Sequence, residues 1–175
     1  SKRFLVHKDI KEEFVTKLKE RLEHIPVRMP SNPEAKIGCL ISEDAAKKVE
    51  AQVNETVSLG AKVVFGGRRK GAFYEPTILV DVTKSMPVAK DEEIFGPVIP
   101  IIEFDTIDEA IKIANQSSYG LCGCIISKSQ KTCQYVAEKL ECGGVIINGA
   151  SFFRSFEMPF GGWKHSGIGN EGVMT

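Results

Sequence analysis

The chain has 175 residues, 42% hydrophobic and 26% charged, with 23 basic and 23 acidic side chains and no net charge. That length is one domain's worth, 1–175, and lets roughly 70% of the unfolded surface be buried without covalent staples. The balanced charge argues against a nucleic-acid partner, and no apolar run approaches the ~20 residues of a membrane span.

Arg3 to His7 reads as a short buried strand. Asp9 is placed to cap the next helix, with Glu12 reaching back, and Ile10, Phe14, Val15, Leu18 and Leu22 recur at helical period. Pro26, Pro30 and Pro33 make the following stretch a loop. Ser42 caps a second helix, with Val49, Val53 and Val57 as its inner stripe and Gly60 closing it. Lys62 to Phe65 is a strand. Phe73 to Val82 is strand-like, with Pro76 demoting part of it to an edge or loop. Val98 to Phe104 is a strand, and Thr106 or Asp108 opens a helix carrying Ala110, Ile111 and Ala114. Leu121 to Ile126 is a strand apolar on both faces. A helix from Ser129 to Leu140 and a strand from Val145 to Asn148 follow. Strands alternating with helices predict an α/β fold, a mainly parallel sheet with helices on both faces.

The five cysteines, Cys39, Cys122, Cys124, Cys133 and Cys142, are an odd number. They argue against a disulfide framework and for a reducing compartment, read here as the cytoplasm. With three scattered histidines, Cys122-Gly123-Cys124 lacks the further ligands a metal site needs. The chain contains no GxGxxG fingerprint, no P-loop and no GxSxG elbow. It opens on Ser1 in a strand-like segment and ends at Val173-Met174-Thr175 without a closing element, so it reads as a piece of something longer.

Two segments stand out chemically. In Asp91-Glu92-Glu93-Ile94-Phe95-Gly96-Pro97-Val98, carboxylates precede an aromatic and a Gly-Pro turn. A Glu there can accept hydrogen bonds from sugar hydroxyls while the ring lies beside a flat heterocycle; a solvated acidic turn is the plain alternative. From Asn148 the pattern becomes irregular through Phe152-Phe153-Arg154-Ser155-Phe156-Glu157 to Pro159-Phe160-Gly161-Gly162. It leaves the C-terminal end of a strand, where open α/β sheets place their sites. Its glycines imply close-packed backbone. Asn148 is expected to pin its loop by backbone hydrogen bonds.

Taken together and in order, these segments resemble the NAD(P)-dependent aldehyde dehydrogenase family. Ile37-Gly38-Cys39-Leu40-Ile41 is similar to the family's IGPLI segment, with Cys39 where proline is usual. Gly60-Ala61-Lys62-Val63 before Gly66-Gly67, Phe73 to Thr77, and Glu92 to Val98 (EEIFGPV) follow. Ala114-Asn115 with Tyr119-Gly120-Leu121, then Pro159-Phe160-Gly161-Gly162 with Lys164, Ser166-Gly167 and Gly169, complete the resemblance over essentially the whole chain.

The resemblance implies oxidation of an aldehyde to a carboxylic acid with NAD or NADP, through a cysteine thiohemiacetal and a thioester. It places the nucleophilic cysteine, the general-base glutamate and the cofactor domain upstream of Ser1. The chain then corresponds to most of a catalytic domain and is expected to be inactive alone, with the rest of its own polypeptide as partner and a homo-oligomer as the full-length state. No cysteine here has a local base to replace the nucleophile. By resemblance, Glu93 accepts from the nicotinamide ribose hydroxyls, Phe95 lies by that ribose and ring, and Leu121 lies near the nicotinamide. Core packing is the alternative for Phe95 and Leu121.

For the aldehyde, the resemblance offers Phe160 as an aromatic lining the tunnel, with packing against Gly161-Gly162 as the alternative. Arg154, among Phe152, Phe153 and Phe156, is costly to desolvate unless paired. A carboxylate or phosphate on the substrate, as in a semialdehyde, would pair it. A pair with Glu157, or an exposed head on a buried stem, is the alternative. Lys164 and Ser166 match the family without an assigned role. The rival to an enzyme fragment is a stand-alone interaction module. Acyl-phosphate or acyl-CoA reducing relatives are a third reading.

Overall fold

The computed structural model describes residues 2–172. Ser1 and Val173 to Thr175, on which the reading of a longer parent chain leans, lie outside the described residues. The contacts gather into two compact units, Ser1–Asp105 and Thr106–Thr175.

The first unit runs β1 (Phe4–His7), α1 (Lys8–Glu23), α2 (Glu43–Ser58), β2 (Lys62–Phe65), β3 (Arg69–Lys70), β4 (Phe73–Tyr74), β5 (Thr77–Val82) and β6 (Val98–Phe104). Its four-stranded sheet has the order β1-β6-β5-β2, parallel at β1/β6 and β6/β5 and antiparallel at β5/β2. Ile78, Val80 and Ile101 pack with Val15 and Leu22 of α1, while Leu79 and Ile102, next in alternation, are also buried. Both faces of the two central strands are therefore covered, which is why these strands read as unbroken apolar runs.

Several local expectations change. Asp9 does not cap α1: its amide donates to Nδ1 of His7, which takes the cap position one residue before the helix. Ser42 does cap α2, but Val57 is exposed, and Ala46, Val49, Val53 and Thr56 form the buried face. Pro76 separates β4 from β5, and β5 is an interior strand. A bulge at Asp81, whose φ is 58°, sets Leu79 opposite Pro100 but Val82 opposite Ile102. The Asp81 carboxylate meets Lys11 at 3.2 Å and Lys62 at 2.9 Å.

The second unit contains α3 (Ile107–Asn115), β7 (Tyr119–Gly120), β8 (Cys122–Ile125), α4 (Gln130–Lys139), β9 (Gly144–Ile147) and β10 (Trp163–Lys164). Thr106 and Ser129 cap α3 and α4. Ile113 is the buried residue of α3; Ala110, Ile111 and Ala114 are half-buried. The β8/β9 pair is parallel and the β7/β10 pair antiparallel. The strand expected over 121–126 is present as β8, but it is not covered on both faces: Cys122 and Cys124 are exposed. The whole is a mixed α/β structure dominated by parallel pairing. Among the described residues no helix is long and apolar enough to cross a membrane.

Candidate functional site

The acidic turn of the first unit is held from several sides. After a 3-10 turn at Pro87–Ala89, the amide of Glu92 donates to the Pro87 carbonyl at 3.2 Å. Nζ of Lys2 donates to the Asp91 carbonyl at 2.8 Å, and Nη1 of Arg3 to the Ala89 carbonyl at 3.0 Å. From α2, Nε2 of Gln52 donates to Oε1 of Glu92 at 2.9 Å and, at 3.4 Å, to the Glu93 carbonyl. Downstream, the Gly96 amide donates to Ile94 at 2.9 Å, and Pro97 accepts from the Thr77 amide at 2.8 Å. A Cβ on Gly96 would come within 2.8 Å of Val49, so only glycine lets the turn lie this close to α2.

On this base Glu93 is exposed, and among the described residues its carboxylate makes no hydrogen bond or ion pair. Phe95 is 76% exposed, which removes the core-aromatic alternative for it. A free carboxylate beside a free ring can accept two hydroxyl donors while the ring lies against a planar group.

In the second unit Leu121, Phe153, Arg154 and Phe160 line one cleft of about 290 Å³, together with Gly143, Gly144 and Met158. The guanidinium carbon of Arg154 lies 4.3 Å from the Phe160 ring centroid, a cation–π distance. Glu157 does not pair with it: the carboxylate accepts from the Ser155 hydroxyl instead, and among the described residues no carboxylate pairs with Arg154. The expectation that phenylalanines desolvate Arg154 fails. Phe152 and Phe156 are 89% and 88% exposed, so neighbours in sequence do not wrap the guanidinium in space. Leu121, at the bend between β7 and β8, is half exposed rather than core.

The thiols near this cleft are poor nucleophiles. Partial burial, then the neighbouring Cys124, push the Cys122 thiol up; burial, then Cys122, do the same to Cys142. Cys122 donates to the Ser151 carbonyl at 3.3 Å. Both stay protonated near neutral pH.

Some anchoring residues have no visible partner in the sequence. Nζ of Lys164 donates to the carbonyls of Asn115 at 2.7 Å and Ser117 at 3.0 Å, closing the end of α3, and meets Glu141 at 2.7 Å. Oγ of Ser166 accepts from the Gly120 amide at 2.9 Å. These bonds tie β10 to β7 and give both family-matching residues a structural role. Asn148, at φ 53°, accepts from the Ser127 amide at 2.9 Å and donates its own amide to Ile125 at 2.8 Å, as its loop-pinning role anticipates. Gln52 gave a weaker signal, a lone amide on the helix face that also carries Val49 and Val53.

A model of the aldehyde dehydrogenase family matches residues 1–175. A 3-sulfolactaldehyde dehydrogenase of Priestia megaterium is 43% identical over 170 residues, 97% of this chain and 35% of the relative. Aldehyde dehydrogenase 21 of Physcomitrella patens, solved in complex with the reaction product succinate, is 38% identical. It has a TM-score of 0.91 over 98% of this chain and 35% of its own. A glyceraldehyde-3-phosphate dehydrogenase of Methanocaldococcus jannaschii, solved with NADP, is 39% identical. Its TM-score is 0.92 over 98% of this chain and 37% of its own. The chain thus spans about a third of the length of the relatives it matches.

Proposed function

The chain belongs to the aldehyde dehydrogenase family, and from that premise we propose that it is part of an NAD(P)-dependent enzyme that oxidises an aldehyde carrying an anionic group to its carboxylic acid. The observation that carries the anionic preference is Arg154. Its guanidinium stands in the cleft on the face of Phe160, with no carboxylate partner among the described residues. The names of three of the relatives point the same way, while others are named for lactaldehyde and betaine aldehyde, which carry no anion. A sulfonate, a second carboxylate and a phosphate, respectively, sit a short carbon chain away from the reacting carbon in 3-sulfolactaldehyde, in succinate and in glyceraldehyde 3-phosphate.

In this reading Arg154 holds the anion with two parallel N–H bonds, and Phe153 and Phe160 flank the carbon chain. That fixes the aldehyde carbon at a constant distance from the anion, a positioning contribution. Glu93, its carboxylate without a hydrogen-bond donor among the described residues, accepts from the nicotinamide ribose hydroxyls, and Phe95 on the same turn offers exposed apolar surface to that ribose and ring; Leu121 of the second unit is likewise exposed and, in the family reading, lies near the nicotinamide. When bound, the dinucleotide supplies the hydride acceptor. No residue of this chain is assigned as nucleophile or general base.

The test replaces Arg154 in the full-length protein and compares an acidic aldehyde with a neutral one of equal length. Arg154→Ala should raise KM for the acidic aldehyde by about 10- to 100-fold, the loss of a charge-assisted pair, and leave the neutral one unchanged. Arg154→Lys should fall between, because charge remains while the fork is lost. Equal effects on both aldehydes would reject the anionic preference.

A further inference from the structure

We propose that Gln52 is a positioning residue that selects which of two adjacent carboxylates, Glu92 or Glu93, faces the cofactor; the proposal rests on the cofactor reading of Glu93. Two neighbouring glutamates on an exposed turn are chemically equivalent, and nothing in their order says which one meets a ligand. Gln52 breaks the equivalence. Its amide nitrogen donates to the Glu92 carboxylate at 2.9 Å and also approaches the Glu93 main-chain carbonyl at 3.4 Å. Glu92 is turned in against α2 and half-buried, and Glu93 is left outward and exposed.

The helix supports this grip. Gln52 lies one turn after Val49, which is buried and in contact distance of Gly96, and Val53 and Thr56 of the same face are buried too. The Gln52 side chain therefore projects from a fixed surface. Lys2 and Arg3 hold the Asp91 and Ala89 carbonyls on the other side of the turn. Those two bonds fix the path of the backbone. The Lys2 charge attracts Glu93, Asp91 and Glu92 together and so does not separate the pair; among the described residues it is the Gln52 amide that hydrogen-bonds one of the two carboxylates, that of Glu92, and so sets their directions apart. A side chain that donates but cannot ionise suits this task, since a cation there would also draw on Glu93.

The test measures the dissociation constants of NADH and NADPH by their own fluorescence, in the full-length protein, with thermal midpoints alongside. Gln52→Ala should weaken whichever dinucleotide binds by about fivefold, about 1 kcal/mol. Glu92→Ala, which removes the same bond from its other end, should match it. In a Glu93→Gln background, itself weaker in binding, neither change should add further loss, because both act through Glu93. If Glu93→Gln weakens binding but Gln52→Ala and Glu92→Ala do not, the positioning role is overturned and the cofactor reading stands. Equal losses in both backgrounds with a lowered thermal midpoint also overturn it, showing general support of the fold. If Glu93→Gln leaves binding unchanged, the cofactor reading itself fails and takes the positioning role with it.

Discussion

The two units hold together by different means. In the first, Ile78, Leu79, Ile101 and Ile102 are buried in the sheet, and α1 and α2 add Val15, Leu22, Val49 and Val53. In the second, the buried hydrophobics among the described residues are Ile113, Cys133 and Val136. Cohesion there comes from backbone against backbone. Gly143 lies on the Gly161 carbonyl, Gly162 on Ser166, and Lys164, Ser166 and Asn148 tie strands and loops by their side chains. An apolar core tolerates substitution in proportion to the volume removed. A contact between two main chains tolerates almost nothing, because neither side has a rotamer to yield.

That contrast sets the order of expected effects. Gly143→Ala should be the most damaging, since its new methyl group would overlap the Gly161 carbonyl oxygen. We expect a loss of at least about 4 kcal/mol in urea unfolding of the full-length protein, followed by Trp163 fluorescence in the affected unit. Wild-type stability in that variant would erase the distinction between the units. Ile78→Ala, fully buried against α1, should cost about 3 to 4 kcal/mol, within the range for a core cavity. A cost below about 1 kcal/mol would mean that the first unit is not held by its core.

The smallest effect concerns the bulge. Hydrogen bonds from Lys62, then Lys11, hold the Asp81 carboxyl below its ordinary value of 3.8. A depressed folded-state pKa stabilises the fold above the unfolded value and loses that stability as pH falls through the folded one. Below about pH 4 the contribution should therefore fade. Because the side chain is 37% exposed, screening should keep it under about 1 kcal/mol. Asp81→Asn should flatten the acid limb of the stability curve by that amount. An unchanged limb would show that the ion pairs add nothing.

The same contrast explains how much could be read beforehand. Elements whose signals are local were legible: Ser42, Thr106 and Ser129 cap their helices through amides three residues on. Asp9 failed as a cap because a histidine ring nitrogen took its amide. The order of apolar runs gave the α/β class, and the glycines of the Pro159 to Gly169 region announced close backbone. The partner of Gly161, Gly143, was not legible, since contact across the fold leaves no mark on spacing. Arg154, Phe153, Phe160 and Leu121 were each named from sequence, and the structure gathers them into one cleft. The presumed desolvation of Arg154 was a sequence-neighbour argument, and Phe152 and Phe156 show why it misled. Gln52 reaches Glu92 across 40 positions and carries no motif.

The bonds from Lys2 and Arg3 to the acidic turn join residues 89 and 86 positions apart, and β1 pairs with β6 across a similar span. Such closures come late in folding, because the chain must lose the entropy of a long loop before any contact rewards it. On a ribosome, Lys2 would wait in the open until Asp91 had emerged. The Glu93 turn should therefore be among the last parts of its unit to acquire native geometry, and, under the cofactor reading proposed above, dinucleotide capture during refolding should lag the appearance of the helices.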